Sequence, residues 1–389
     1  MREATRGQIV AALLRARPSS RKQLASATGI SPATVSRAVD GLIADRLVHE
    51  GSALVEERRG RRQVLLDIES GDHLALGIDV GGSRTRAVLV DLTAAPLASV
   101  DVATQVGASA EDLALWIAEL AKSLAGARWG DVRAVALGLP GAVSHQGPSV
   151  SNAPNLPQVE DPTFLDACAR AINKPLRIDN DANYALLGEM RFGAASGLAS
   201  AAMVTLGAGL GVGLAVDGRL LQGRRGLVGE FGQLPAGPGG TRLEASVTGP
   251  GIARMATAAG IDVSEPAALF RADPPDELRN VRDRFDQALV LTLCAVSVAS
   301  DPDVIVLGGG IAKSLAADLE SYQNELTNAL HVAPRLTSTA LGDFAGAAGA
   351  AAGALHAVYV ELGVDVDELN DLPAAGTLDA AAVAAVAQS

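Results

Sequence analysis

Three glycine clusters in this chain each follow an apolar run, and that spacing suits the holding of an anion. Leu74 to Ile78 leads into Asp79-Val80-Gly81-Gly82-Ser83, with a second strand, Ala87 to Asp91, beyond it. Met203 to Leu206 leads into Gly207-Ala208-Gly209-Leu210-Gly211-Val212-Gly213 and then a strand to Val216. Val304 to Leu307 leads into Gly308-Gly309-Gly310, before a helix. Glycine lets backbone N–H groups approach a phosphate closely. Two such strand–loop–strand units, far apart in the chain, predict two similar lobes facing a cleft.

Polar residues fall between and after these loops. Gly138-Leu139-Pro140-Gly141 and Asn155-Leu156-Pro157 read as tight connections. Ile178-Asp179-Asn180-Asp181-Ala182-Asn183 ends a strand and starts a helix. Gly229-Glu230-Phe231-Gly232-Gln233 and Leu243-Glu244 come after the second loop. Asn, Asp and Glu converging on a cleft suit a polyhydroxy ligand, because each buried hydroxyl needs a partner. Asp181, at a helix start, either caps that helix or serves as a base.

The elements ahead of residue 70 belong to a different kind of unit. Gly7 to Arg17 carries Ile9, Val10, Leu13 and Leu14 at helical spacing. Ser20 is placed to cap a second helix, Arg21 to Thr28, and Gly29 to take a left-handed turn. Ser31-Pro32 then opens a third helix to about Asp45, with Val35, Val39 and Leu42 as its buried stripe. This is the helix-turn-helix plan, in which Ser31, Thr34, Ser36 and Arg37 face a DNA groove. Leu47 to Glu50 and Val64 to Ile68 read as wing strands around Arg58-Arg59-Gly60-Arg61-Arg62, whose arginines suit a minor groove or phosphates.

Charge follows the same division. Residues 1–66 hold 12 Lys and Arg against 6 Asp and Glu, whereas the remainder holds 20 against 38. The first segment can approach a phosphate backbone and the rest is repelled by one. Cys168 and Cys294 make no motif, which fits a reducing cytoplasm. No apolar run is long enough for a membrane span, and no leader segment is read. The stretch from Ala345 to Ala354 predicts a helix packed closely on a neighbour.

In combination these motifs resemble the ROK family (repressors, open reading frames and kinases), in the branch that carries an N-terminal winged helix-turn-helix. The resemblance runs from about Arg6 to Gly353. It rests on Asp79-Val80-Gly81-Gly82-Ser83, Gly138-Leu139-Pro140-Gly141, Asn180-Asp181-Ala182-Asn183, Gly229-Glu230-Phe231-Gly232 and Leu307-Gly308-Gly309-Gly310. It implies an α/β chain with a winged helix-turn-helix at 1–70 and a two-lobed, actin-like sugar-kinase fold. The lobes fall at 71–190 and 191–355, with a C-terminal helix and tail at 356–389. The sugar contacts it implies are Asn155, Asn180, Asp181, Glu230 and Glu244, with Asp181 the general base of family kinases. The nucleotide would lie on the glycine loops.

Departures from the family pattern shape the expectation. Gln233 stands where the family usually has a His that binds zinc and ligand, so it is kept as a sugar contact. Pro235-Ala236-Gly237-Pro238-Gly239-Gly240-Thr241-Arg242 replaces a zinc-binding cysteine cluster, and zinc prefers Cys and His. No zinc site is therefore expected. Ala208 replaces a Thr of the second phosphate loop, and Arg62 a Pro of the wing. The expected protein is a sugar- or sugar-phosphate-responsive regulator, a repressor, acting on double-stranded operator DNA as a homodimer or homotetramer. It requires no cofactor. The alternative is an ATP- and magnesium-dependent sugar kinase with an attached DNA-binding domain.

Overall fold

The structure is a computed structural model that describes residues 2–51, 64–147, 149–236, 240–261, 266–270, 276–374, 376 and 378–388. Its N-terminal unit comprises α1 (Arg2–Arg15), β1 (Ser19–Ser20), α2 (Arg21–Thr28), α3 (Pro32–Ala44), β2 (Val48–Glu50) and β3 (Leu65–Ile68). Local chemistry fixes these bounds. Ser20 and Gln23 form a reciprocal capping box, and Gly29 ends α2 at φ 70°. Ser31 caps α3, whose buried side chains are Val35, Val39 and Leu42. β3 pairs with both β1 and β2, and β1 was not foreseen. The wing arginines Arg58, Arg59, Arg61 and Arg62 lie outside the described residues.

The first lobe contains β4 (Leu74–Val80), β5 (Arg84–Val90), β6 (Pro96–Ala103), α4 (Ala110–Ala125), β7 (Val132–Leu139), β8 (Ala142–Ser144), β9 (Ser149–Ser151), α5 (Phe164–Ile172), β10 (Leu176–Asn180) and α6 (Asp181–Phe192). Its sheet runs β10-β7-β4-β5-β6. The second lobe contains β11 (Ala201–Leu206), β12 (Leu210–Val216), β13 (Arg219–Leu220), α7 (Glu244–Val247), α8 (Gly249–Ala258), α9 (Asp276–Ser300), β14 (Val304–Gly308), α10 (Leu319–Leu330) and β15 (Arg335–Ser338). Its sheet runs β13-β12-β11-β14-β15. Two further helices follow, α11 (Ala345–Glu361) and α12 (Ala380–Ala385). Among the described residues no helix is long and apolar enough to cross a membrane.

α6 and α11 lie side by side between the two sheets, α6 against β11 and β12 and α11 against β4, β5 and β7. Glycine makes this approach possible. A Cβ on Gly349 would fall 1.7 Å from the Tyr184 carbonyl, and one on Gly77 2.1 Å from the Ala351 nitrogen. The small-residue helix expected after Ala345 is thus present, but it packs on first-lobe strands, so residues 345–355 cross the expected lobe boundary. α6 likewise runs two residues past the expected first division.

The same apolar core continues from α11 into the N-terminal unit through Ile9, Leu13, Val358, Leu369 and Leu372. A Cβ on Gly7 of α1 would fall 1.6 Å from the carbonyl of Gly363, just beyond α11. The C-terminal tail closes the outer edge of the first sheet. Ser99 bridges to Ala387, and its hydroxyl donates to the Val383 carbonyl at 2.8 Å.

Candidate functional site

A cleft of about 740 Å³ opens between the lobes. The end of β4 brings Asp79 to it, the turn between β4 and β5 brings Gly81, Gly82 and Ser83, and the turn between β11 and β12 brings Gly207 and Gly209. Gly309 and Gly310 reach it from the end of β14. Gly308 does not line it; a Cβ there would meet the Met203 side chain at 2.4 Å. The second loop is also shorter than its glycines suggest, being confined to Gly207-Ala208-Gly209. Gly211 lies within β12, where a Cβ would stand 2.5 Å from Thr205 Oγ1 and 3.0 Å from Ala182 Cβ. Its role is to let α6 sit against the strand, although it still borders the cleft.

Asn155 stands between the loops of the two lobes. A Cβ on Gly82 would lie 2.8 Å from Asn155 Cβ, and one on Gly209 would lie 3.2 Å from Asn155 Nδ2 and 3.3 Å from Glu244 Oε1. Glu230, Gln233 and Glu244 border the same space from the segment after β13. The polar side chains expected to meet a sugar are therefore brought together at one cleft.

The start of α6 resolves a choice left open by sequence. Asn180 is the cap: its Oδ1 accepts from the amides of Ala182 at 2.9 Å and Asn183 at 3.3 Å. Its Nδ2 donates to the Gly141 carbonyl at 2.9 Å. That leaves Asn180 one further N–H to offer a ligand. Asp181 accepts from the adjacent Ala182 amide at 2.7 Å and borders the cleft. Beneath it Asp179 takes Asn183 Nδ2 at 2.8 Å and Gln222 Nε2.

Burial raises three of the carboxylates, and neighbouring charge adds to it at two of them. Burial, and then the charge of Asp181, lift Asp79 well above the ordinary carboxylate range, and burial lifts Asp181. Glu230 is pushed up to about 7 by burial, then by Asp181 and Glu244, against a hydrogen bond from Asn152. Crowding of this kind favours a ligand that supplies hydroxyl donors.

Cations occupy another part of the cleft. Arg84 and Arg86 point to one face of β5, and both bind Asp101, at 2.8 and 3.1 Å. Arg86 also lies 3.6 Å from Asp343, which Lys313 holds at 2.7 Å. This bridge joins β5 to the end of β14 beside Gly309 and Gly310. Arg84, Arg86, Asn152, Lys313 and Asp343 were not picked out by sequence. The alternation Arg84-Thr85-Arg86 after the first glycine loop was the available signal.

Gln233 accepts from Arg242 Nη1. Between them Pro235 bridges to Arg242, and the Ala236 amide donates to the Thr241 carbonyl at 2.6 Å. Hydrogen bonds thus close the segment where the family carries zinc, and its amide, guanidinium and glycine groups do not fit that ion. Among the described residues no group of three or more His, Cys, Asp or Glu is placed to hold a metal.

On the N-terminal unit, Ser31 and Arg37 are exposed and Thr34 and Ser36 half-buried. Ser31 and Thr34 share a hydroxyl hydrogen bond of 2.9 Å. Arg21 ties α3 to β2 by binding Asp40 at 2.9 Å and Glu50 at 2.8 Å.

Comparison with known proteins gives matches to both units. A model of the ROK family matches residues 75–357, and a model of the MarR family residues 4–63. The bifunctional enzyme NanE/NanK of Brucella melitensis is 33% identical over 285 residues, 71% of this chain and 53% of that protein. The chain spans about half the length of the first curated relatives it matches. A ROK hexokinase from Thermus thermophilus superposes with a TM-score of 0.60 at 33% identity, covering 73% of this chain and 99% of that one. A ROK family transcriptional regulator, a homologue of the E. coli MLC protein, shares the fold with a TM-score of 0.75 at 22% identity. That likeness covers 95% of this chain and 99% of the other.

Proposed function

The chain belongs to the ROK family, and from that premise we propose that it is a sugar-responsive, DNA-binding transcriptional regulator, a repressor acting in the cytoplasm. The carrying observation is α11. Its first residues, Ala345 and Gly346, border the cleft, and its far end is seated under α1 of the MarR-type winged helix. A sugar between the lobes can shift their relative angle and with it the DNA-reading head. In a two-fold dimer the spacing of two heads would then change, and with it the hold on a pseudo-palindromic operator. The acidic set Asp181, Glu230 and Glu244 receives hydroxyls, while Arg86 and Lys313 suit a phosphate group on the effector.

The experiment has two parts. Thermal shift is measured with glucose, N-acetylglucosamine, N-acetylmannosamine, xylose, the 6-phosphates of the hexoses, and ATP. A ligand at a hundred times its Kd adds about 2.7 kcal/mol of stability. Duplexes are then selected from a random library on the full chain, and affinity is measured with and without the stabilising sugar. An unchanged affinity with a bound sugar rejects the reading and favours a protein co-regulator.

One observation supports a kinase reading. The Asp181 carboxylate is not spent as a helix cap and borders the cleft, so it retains the position of a base. ATP and magnesium would then lie along Gly207, Gly209, Gly309 and Gly310 and supply the phosphoryl group. Ala208 weighs against it, because a backbone loop remains without the hydroxyl donor of family kinases. ADP release near 1 s⁻¹ or faster, in the range of ordinary enzymes, and lost in Asp181→Asn, would decide for the kinase.

A further inference from the structure

One end of the cleft already holds an anion of its own. Asp343 lies in the 3-10 turn Gly342–Phe344, which leads into α11. Its Oδ2 takes Lys313 Nζ at 2.7 Å and stands 3.6 Å from Arg86 Nη2. Lys313 comes from the 3-10 turn Ala312–Leu315 after β14, and Arg86 from β5. A single carboxylate oxygen therefore spans the two lobes. All three residues line the cleft, beside Gly309 and Gly310. The Lys313 side chain is 57% exposed and that of Asp343 33%, so a ligand entering the cleft can reach both.

The backbone is built to hold Asp343 in that place. Glu189 of α6 is fully buried. It accepts from the Thr339 hydroxyl and from the amides of Ala340 at 3.2 Å and Leu341 at 3.0 Å. Gly342 then turns the chain at φ 59°, its amide donating to Thr339 Oγ1 at 3.0 Å. The first turn of α11 takes no side-chain cap, so the Asp343 carboxylate is not spent on that helix.

An arginine fork and a lysine point charge meeting at one oxygen form a pair that receives phosphate as readily as carboxylate. Arg84 and Arg86 also share Asp101, so these five side chains carry three positive charges and two negative ones. A phosphoryl group arriving here finds Asp343 in place and meets its like charge. We propose that Asp343 is a specificity-determining residue: it occupies the cation pair as a built-in competitor and biases the cleft toward uncharged sugars over their phosphate esters. An effector that carries phosphate must displace Asp343 from Lys313 and Arg86, whereas a sugar without one leaves the bridge between the lobes closed. The inference rests on the reading of the cleft as the effector site and needs no response from DNA.

Calorimetric titration of the full chain with inorganic phosphate reads the competition directly, at matched ionic strength because salt screens exposed charges. Asp343→Asn is expected to tighten phosphate about tenfold, the scale of one like-charge contact near a protein surface. Asp343→Ser, smaller and equally neutral, is expected to give the same gain and stands in if the Asn variant does not fold. Adding Lys313→Gln or Arg86→Gln to Asp343→Asn is expected to remove the gain. A folded neutral variant that binds phosphate no tighter than the native chain overturns the proposal, as does a gain that survives both added changes. Glucose, N-acetylglucosamine and N-acetylmannosamine are then compared with their 6-phosphates. For a sugar that binds, the ratio of ester affinity to free-sugar affinity is expected to rise about tenfold in Asp343→Asn, for the same reason; a constant ratio overturns the assignment. Sugars and esters that all fail to bind count against the effector reading instead, while the phosphate titration still decides the role of Asp343.

Discussion

Gly346 touches Asp79 at the cleft: a Cβ on Gly346 would lie 2.4 Å from Asp79 Oδ2. Gly349, one turn later, faces backbone and not a side chain, with the Tyr184 carbonyl 1.7 Å from its own ideal Cβ. Gly346→Ala is therefore expected to cost about 1 kcal/mol in urea unfolding, the lower end of overpacking effects, and to weaken sugar binding by turning Asp79 aside. Gly349→Ala must push α6 and α11 apart and is expected to cost about 3 kcal/mol, the upper end of overpacking effects. Equal costs would contradict the close helix contact.

Asn180 and Asp181 separate in the same way. Asn180→Ala removes the cap of α6 and is expected to lower stability by about 1 kcal/mol. Asp181→Asn removes no cap, so unfolding free energy is expected to stay level or rise, while sugar affinity falls. Calorimetric titration beside a denaturation curve reads both.

Glu230 should leave a signature in pH. Its folded value of about 7 lies above the ordinary 4.5, so the folded chain holds this proton longer than the unfolded one. The contribution to stability is full below 4.5, is lost as pH rises through 7, and is flat above. Glu230→Gln is therefore expected to gain about 1–3 kcal/mol on the native chain between pH 4.5 and 7.5, after allowance for solvent at this partly exposed group. His356 acts in the opposite sense, losing stability as pH falls from 6.5 toward 4, but it is common to both chains and cancels in the difference.

On DNA, Arg37→Ala is expected to cost about 1–3 kcal/mol on a selected duplex if the side chain reads a guanine. Arg21→Ala frees Asp40 and Glu50 on the same face and is expected to weaken all duplexes alike. Competition binding against selected and scrambled duplexes separates the two.

Elemental analysis of purified protein is expected to find no stoichiometric zinc after dialysis against a chelator. The expectation rests on Gln233 and the cysteine-free stretch that follows it. Retained zinc would reveal a ligand set that the hydrogen-bonded segment does not suggest.

Short-range features were legible in the chain. Ser20, Gly29 and the Ser31-Pro32 pair marked α2 and α3 because each acts within a few residues of itself, although the partner of Ser20 in its capping box, Gln23, was missed. Asn155, Asn180, Asp181, Glu230, Gln233 and Glu244 were legible as cleft residues because they stand beside glycine turns, whereas Arg84, Arg86, Asn152, Lys313 and Asp343 come to it from a strand face and from turns without such a signal. Asn180 and Asp181 were not separable, because either type caps a helix and only the fold decides which points inward. Gly211 read as part of a loop because a glycine that admits a neighbouring helix looks, in sequence, like one that makes a turn.

The position of α11 also bears on how the protein is made. The first-lobe strands β4, β5 and β7 emerge early in synthesis, yet the helix that covers them, Ala345–Glu361, follows about two hundred residues later. At about 5–20 residues per second, that interval leaves an apolar sheet face bare for tens of seconds on the ribosome. Transiently exposed apolar surface is prone to aggregate, and a truncated chain that stops before Ala345 has no native cover for that face. Slower translation through the second lobe would lengthen that exposure and is expected to lower the yield of folded protein.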